Sequence, residues 1–166
     1  DRDKVFRTMA LWGGRFSSDP REDVALLSES VSYDKRLFAH DIMGSKAHVA
    51  MLARQNIIPA ETAVAIRAEL DKIQKRIESG DFQYEIAKED IHMHIESALI
   101  DILGAEGARV HSARSRNDQV ALDIRLYLRD RIDALEEMMK QFQIALVERA
   151  AADPEAIMPG FTHLQH

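Results

Sequence analysis

The 166-residue sequence contains no cysteine, which excludes a disulfide framework, a thiolate nucleophile and a cysteine-ligated zinc or iron–sulfur centre. Seven glycines, four prolines and 6% aromatics leave long stretches without a breaker. There is no basic surplus: 22 Lys and Arg stand against 28 Asp and Glu, a net charge of −6, which argues against a general nucleic-acid binder. No apolar run approaches the roughly 20 residues that span a bilayer. Residues 1–8 mix charges and lack an apolar stretch, so they do not read as a signal peptide. A reducing cytoplasm is the expected address, with neither nucleic acid nor membrane as a partner. What is present, 46% hydrophobic and 30% charged residues, suits one globular domain that buries roughly two-thirds of its unfolded surface.

The apolar residues recur at helical spacing. Ile66, Leu70, Ile73 and Ile77 step by four, three and four between Pro59 and a stop at Gly80. Phe38, Ile42, Val49 and Leu52 predict an earlier helix over about residues 36–55, and Ile91, Ile95, Ala98 and Ile102 a later one closed by Gly104. No strand alternation stands out, so the expected fold class is all-α.

Residues 115 to about 152 contain neither Gly nor Pro, and Ala121, Ile124, Leu128, Ile132, Leu135, Met139, Phe142 and Leu146 form a stripe at spacings of three and four. At 1.5 Å per residue such a helix reaches roughly 50–55 Å, longer than a small domain is wide. It needs other long helices as packing partners, and residues 153–166 are too few to supply one. Other subunits, a longer chain, or both are the expected source.

Three polar clusters carry chemistry. At the start of the long helix, His111-Ser112-Ala113-Arg114-Ser115-Arg116-Asn117-Asp118-Gln119 combines a serine–x–x–acid helix start with two fixed positive charges and several uncharged donors. Free N–H groups and the helix dipole there favour an anion, and the arginines add bidentate contacts to a carboxylate or phosphate. A well-capped helix with arginines in salt bridges is the plainer alternative. In Glu89-Asp90-Ile91-His92-Met93-His94-Ile95-Glu96, the acids suit a helix start, and His92 and Glu96 share a face that could hold an ion pair or a metal. The two-histidine zinc-protease pattern is absent. In Pro159-Gly160-Phe161-Thr162-His163, a turn presents a histidine able to serve as acid or base, although a turn histidine is more often a surface hydrogen-bonder. A fourth segment, Asp41-Ile42-Met43-Gly44-Ser45-Lys46-Ala47-His48, sets a Gly-Ser pair inside a helical pattern, which suggests close approach of a ligand or another helix.

Taken together with Leu11-Trp12-Gly13-Gly14-Arg15-Phe16, these segments resemble the argininosuccinate lyase family, within the superfamily of fumarase, aspartase and adenylosuccinate lyase. They occur in the family's order and spacing from Met9 onward. The resemblance implies a reversible β-elimination, argininosuccinate to arginine and fumarate in arginine biosynthesis, with no metal or organic cofactor. It implies argininosuccinate-binding positions at Ser45, Asn117 and Thr162, a neighbouring contact at Arg116, and a weaker candidate at Ser115. His163 matches the histidine assigned to acid–base catalysis, and His92 another active-site histidine. Ser112-Ala113 stands where Thr-Gly is more usual, a change that bears on the loop's backbone freedom.

The family is longer than this chain. The resemblance implies an N-terminal helical domain over residues 9–114, the start of a central helical bundle over 115–166, and a leader or extension over 1–8. The family's serine loop, with its lysine, lies outside these residues, so the chain alone is expected to be an inactive fragment of a homotetramer whose sites draw on three subunits. Alternatives are another superfamily lyase, with adenylosuccinate as substrate, or a non-catalytic structural or binding relative of the lens crystallin kind.

Overall fold

A computed structural model of the chain describes residues 21–157 and 160–165; the tryptophan segment and Pro159 lie outside them. The helices are α1 (Glu22–Ser28), α2 (Val31–Asp34), α3 (Phe38–Arg54), α4 (Ala60–Glu78), α5 (Ile91–Leu103), α6 (Ala105–Ala108) and α7 (Arg116–Ala152), with short 3-10 turns at Lys35–Leu37, Ile86–Lys88 and Arg109–His111. Among the described residues there is no strand, only an isolated bridge between Thr162 and Gln165. The fold is all-α. No helix among these residues is long and apolar enough to cross a membrane.

The predicted helices start and stop where local chemistry dictates. Pro59 precedes α4 in an extended conformation, and Gly104 ends α5 at φ 59°, a backbone state that costs glycine little. The stripe on α4 is buried as expected, with Ile66, Leu70 and Ile73 fully covered and Ile77 packed at the edge. They meet Ile42, Val49 and Leu52 of α3 and Ile91, Ile95 and Leu99 of α5 in one core. Each such side chain contributes roughly 1.5–3 kcal/mol relative to exposure. Ile102 is 49% exposed, because the buried face of α5 runs 91, 95, 99 and leaves Ile102 on the solvent side.

The chain divides into two compact units, Asp1–Tyr127 and Leu128–His166, with the boundary inside α7. Within the first unit, α7 buries a polar face: Gln119 and Asp123 are covered while Leu122 and Ile124 remain 43% and 44% exposed. In the second unit, Leu128, Ile132, Leu135, Met139, Phe142 and Leu146 are all exposed.

Candidate active site

The start of α5 is fixed before any catalytic question arises. Asp90 caps the helix, its carboxylate accepting the Met93 N–H at 2.6 Å. Glu89, just before it, sits at φ 56°, ψ −66°, and the Asp90 N–H closes a three-residue turn onto the Lys88 carbonyl at 2.6 Å. This is a rare, strained turn for a residue with a side chain. It turns the Glu89 carbonyl toward the N–H groups of Ser30 and Val31, at 2.9 and 3.0 Å. Asp34 accepts the Ile91 N–H at 3.1 Å and the Ser30 hydroxyl at 2.6 Å. His94 spends both ring nitrogens on the scaffold: Nδ1–H donates to the Asp90 carbonyl at 2.6 Å, and Nε2 accepts the Glu85 N–H at 2.9 Å. His92 is thereby held at a defined height on α5.

The start of α7 is capped by Ser115, whose hydroxyl accepts the Asn117 N–H at 3.2 Å. Ahead of it, Ala113 takes φ 57°, the left-handed region that an alanine enters only at a cost. Here the Ala-for-Gly departure acts on the backbone itself. The strained turn precedes Arg114, whose Nη2 donates to Ser45 Oγ on α3 at 2.9 Å. Arg116 donates to Glu96 at 2.9 Å and to the Gln119 side-chain carbonyl at 2.8 Å, with Asp90 3.7 Å away. Gln119 in turn donates to Asp41 of α3, and His48 of α3 bonds the Ser112 carbonyl at 2.8 Å. Gly44 lets α3 come this close: a Cβ there would stand 3.0 Å from Leu122 and 3.7 Å from Asp123.

At the centre, His92 Nε2 and Asp123 Oδ2 are 2.8 Å apart, with both side chains 1% exposed. Burial disfavours the His92 cation, but the hydrogen bond to Asp123 and the nearby negative charges of Asp90, 3.8 Å away, and Asp41 outweigh it and raise the imidazole to about 9. His92 is therefore an imidazolium at neutral pH, donating to Asp123. Burial pushes Asp123 upward, with His92 pulling against it. Burial lowers Arg114 from the usual arginine range, with Asp41 opposing, and the guanidinium stays charged. His111 is pulled down, first by burial. His92 also lines a cleft of about 460 Å³ whose wall includes Tyr33, Arg36, Asp90 and Val120.

One ligand atom each from Asp41, His92 and Asp123 can be found within 4.8 Å of one another, the spacing of a cation site. The cluster already holds its own cations, since His92 is protonated and Arg114 reaches in from the loop. A divalent ion would have to displace the His92 proton. His92 and Glu96, weighed together as a pair from their spacing, take different partners: Asp123 for the first and Arg116 for the second.

Of the residues singled out in the sequence, Ser45, His92, Ser115, Arg116 and Asn117 all fall in the first unit around the first two turns of α7. Ser45 is buried, Arg116 part-buried, and Ser115 and Asn117 exposed. Thr162 and His163 belong to the second unit. There the Thr162 and Gln165 backbones exchange hydrogen bonds at 2.9 Å across a two-residue turn, with His163 at φ 54° and Leu164 at φ 61°. Sequence reasoning passed over Asp123. Its signal was an acidic residue four positions after Gln119, on one face of a helix otherwise read for its apolar stripe.

Residues 14–166 match the lyase family. The chain belongs to that family. It is 50% identical over 155 residues to an argininosuccinate lyase of Thioalkalivibrio sulfidiphilus, covering 93% of this chain and 33% of that protein. A chloroplastic argininosuccinate lyase of Arabidopsis thaliana is 46% identical over 165 residues, 99% of this chain and 32% of the relative. The argininosuccinate lyase of Oceanobacillus iheyensis is 50% identical over 157 residues, 95% and 34% of the two chains. This lyase-family chain thus spans about a third of the length of these curated relatives.

Proposed function

We propose that the protein carrying this chain is an argininosuccinate lyase, eliminating fumarate from argininosuccinate and releasing arginine. The observation that carries the reading is the identity of 46–50% to three argininosuccinate lyases over 93–99% of the chain. The local chemistry supports it independently. The reaction removes a proton from the carbon beside a carboxylate, and the charge left behind spreads into that carboxylate. Donors fixed in advance at a helix start suit an anion that gains charge in the transition state. Arg116, Ser115 and Asn117 stand at such a start, and His92 supplies a buried positive charge one helix away.

In this reading Ser45, Ser115, Arg116, Asn117 and Thr162 bind substrate. His163 transfers a proton, and His92 assists as a cation. Residues 9–114 form an N-terminal helical domain, and the part from 115 onward opens a central bundle. The exposed apolar stripe of residues 128–146 supports self-association, with a homotetramer as the proposed assembly and the cytoplasm as its compartment.

The test uses the protein at the full length of its relatives, assayed for fumarate by absorbance. Fumarate release from argininosuccinate is expected. No release, or faster turnover of adenylosuccinate, would overturn the assignment.

A further inference from the structure

We propose that Asp123 is a positioning residue for the β-elimination, holding the His92 ring in one orientation behind the cleft in which the reacting carboxylate binds. The inference rests on the lyase reading and adds a residue to it. Three observations carry it. Asp123 is fully buried on a helix face whose neighbouring buried residue, Gln119, is also polar, so burial of apolar surface does not account for it. Its Oδ2 meets His92 Nε2 at 2.8 Å, while the other ring nitrogen has no hydrogen-bond partner among the described residues, with Asp90 Oδ1 3.8 Å away. His92 is also among the residues lining the 460 Å³ cleft, although its side chain is only 1% exposed, so the buried pair stands directly behind the cleft wall.

The carboxylate acts in two ways. It fixes which nitrogen points inward, as the acid behind a catalytic histidine does. It also compensates a charge that burial alone would remove. The ionisable groups around the ring are Asp34, Asp41 on α3, Asp90 at the cap of α5, and Arg114 and Arg116 at the start of α7. Asp41 is engaged by Gln119 and Asp90 by the Met93 N–H. Asp123 makes the one short hydrogen bond that the described residues give this ring.

The experiment replaces Asp123→Asn in the full-length protein, alone and together with His92→Asn. Expected in the single variant is a kcat loss of at least about tenfold, with KM changed far less and the alkaline limb of the pH profile moved more than one unit toward neutrality. In the His92→Asn background the second substitution should cost nothing further. Nitrogen-15 histidine spectra at pH 8 should show His92 as an imidazolium in the parent and neutral in Asp123→Asn. An equal loss in both backgrounds, or an imidazolium that persists, overturns the proposal and makes Asp123 a structural tie. Should the asparagine variant not fold, Asp123→Glu carries the test. It keeps the charge but shifts the ring, so kcat should fall with the alkaline limb unmoved, and parental kcat overturns the idea. A parent that releases no fumarate defeats the lyase reading itself, whereas an active parent with an indifferent Asp123 defeats only this inference.

Discussion

Arg114 donates to the hydroxyl of Ser45 at 2.9 Å, joining the loop before α7 to the middle of α3 across 69 positions of sequence. The bond is between a charged donor and a fully buried acceptor, and removing it leaves part of a guanidinium without a partner where solvent is scarce. Hydrogen bonds to charged groups contribute about 1.5–3 kcal/mol. Ser45→Ala should lower the unfolding free energy by about that amount in a denaturant titration. A cost under about 0.5 kcal/mol would mean that the loop finds another acceptor.

Ala113 makes an opposite prediction. At φ 57° its methyl group clashes with its own backbone, a cost of about 1–2 kcal/mol. Glycine removes that cost but adds freedom to the unfolded chain, about 0.5–1 kcal/mol. Ala113→Gly should therefore stabilise the protein by about 0.5–1 kcal/mol, seen as a higher denaturation midpoint with an unchanged slope. A destabilised variant would show that the turn is not left-handed in solution.

Much of the fold was legible because helix periodicity is local. Ile66, Leu70 and Ile73 announce a buried face without reference to any other segment, and Pro59 and Gly104 mark ends through their own backbone preferences. The helix around Ile102 was legible but its buried face was not: a stripe at 91, 95, 98 and 102 and one at 91, 95 and 99 fit the same helix, and only the neighbouring helices decide which is covered. The polar clusters at 89–96 and 111–119 were visible as composition, but their pairing was not. Nothing local says that Gln119 meets Asp41 or that Arg116, rather than His92, takes Glu96. Asp123 was hidden because an isolated acid on a long helix ordinarily faces water.

The charge on His92 makes stability depend on pH. Its folded value of about 9 lies above the 6.5 of the unfolded chain, so the folded state holds its proton more tightly. This contribution is complete below about pH 6.5 and is lost as pH rises through about 9. The difference corresponds to about 3 kcal/mol. Denaturation midpoints should fall between pH 6.5 and 9, and His92→Gln should flatten the curve in that window. A parent curve that is already flat there would mean that His92 is neutral when folded.

Gly107 has no such latitude. A Cβ at this position would lie 2.4 Å from the Leu99 carbonyl oxygen and 2.6 Å from its carbon, both backbone atoms of α5. A side chain can swing away, but a helix backbone can yield only by moving α6 off α5. Overpacking of this kind costs about 1–3 kcal/mol or more. Gly107→Ala should lower the melting temperature by several degrees, whereas Gly44→Ala, opposed by the flexible end of Leu122, should lower it less. Equal losses at the two glycines would show that α6 is free to shift.

His163 offers a clean separation of chemistry from fold. It occupies the first central position of a two-residue turn, at φ 54°, with Leu164 following at φ 61° and paired backbone bonds between Thr162 and Gln165. Turns with positive φ at both central residues favour asparagine at the first, because its short side chain tolerates the left-handed region. His163→Asn therefore removes the imidazole while suiting the backbone at least as well as histidine does. If His163 transfers a proton in the elimination, the full-length variant should lose about 10²–10⁴ in turnover, the range for a positioned acid or base, while its melting temperature stays level or rises. His163→Ala should lose a similar factor in rate but also some stability, since alanine pays for the left-handed turn. A loss below tenfold with an intact fold would remove His163 from proton transfer. Equal rate losses that track falling stability in a series of substitutions would instead assign it to the turn alone.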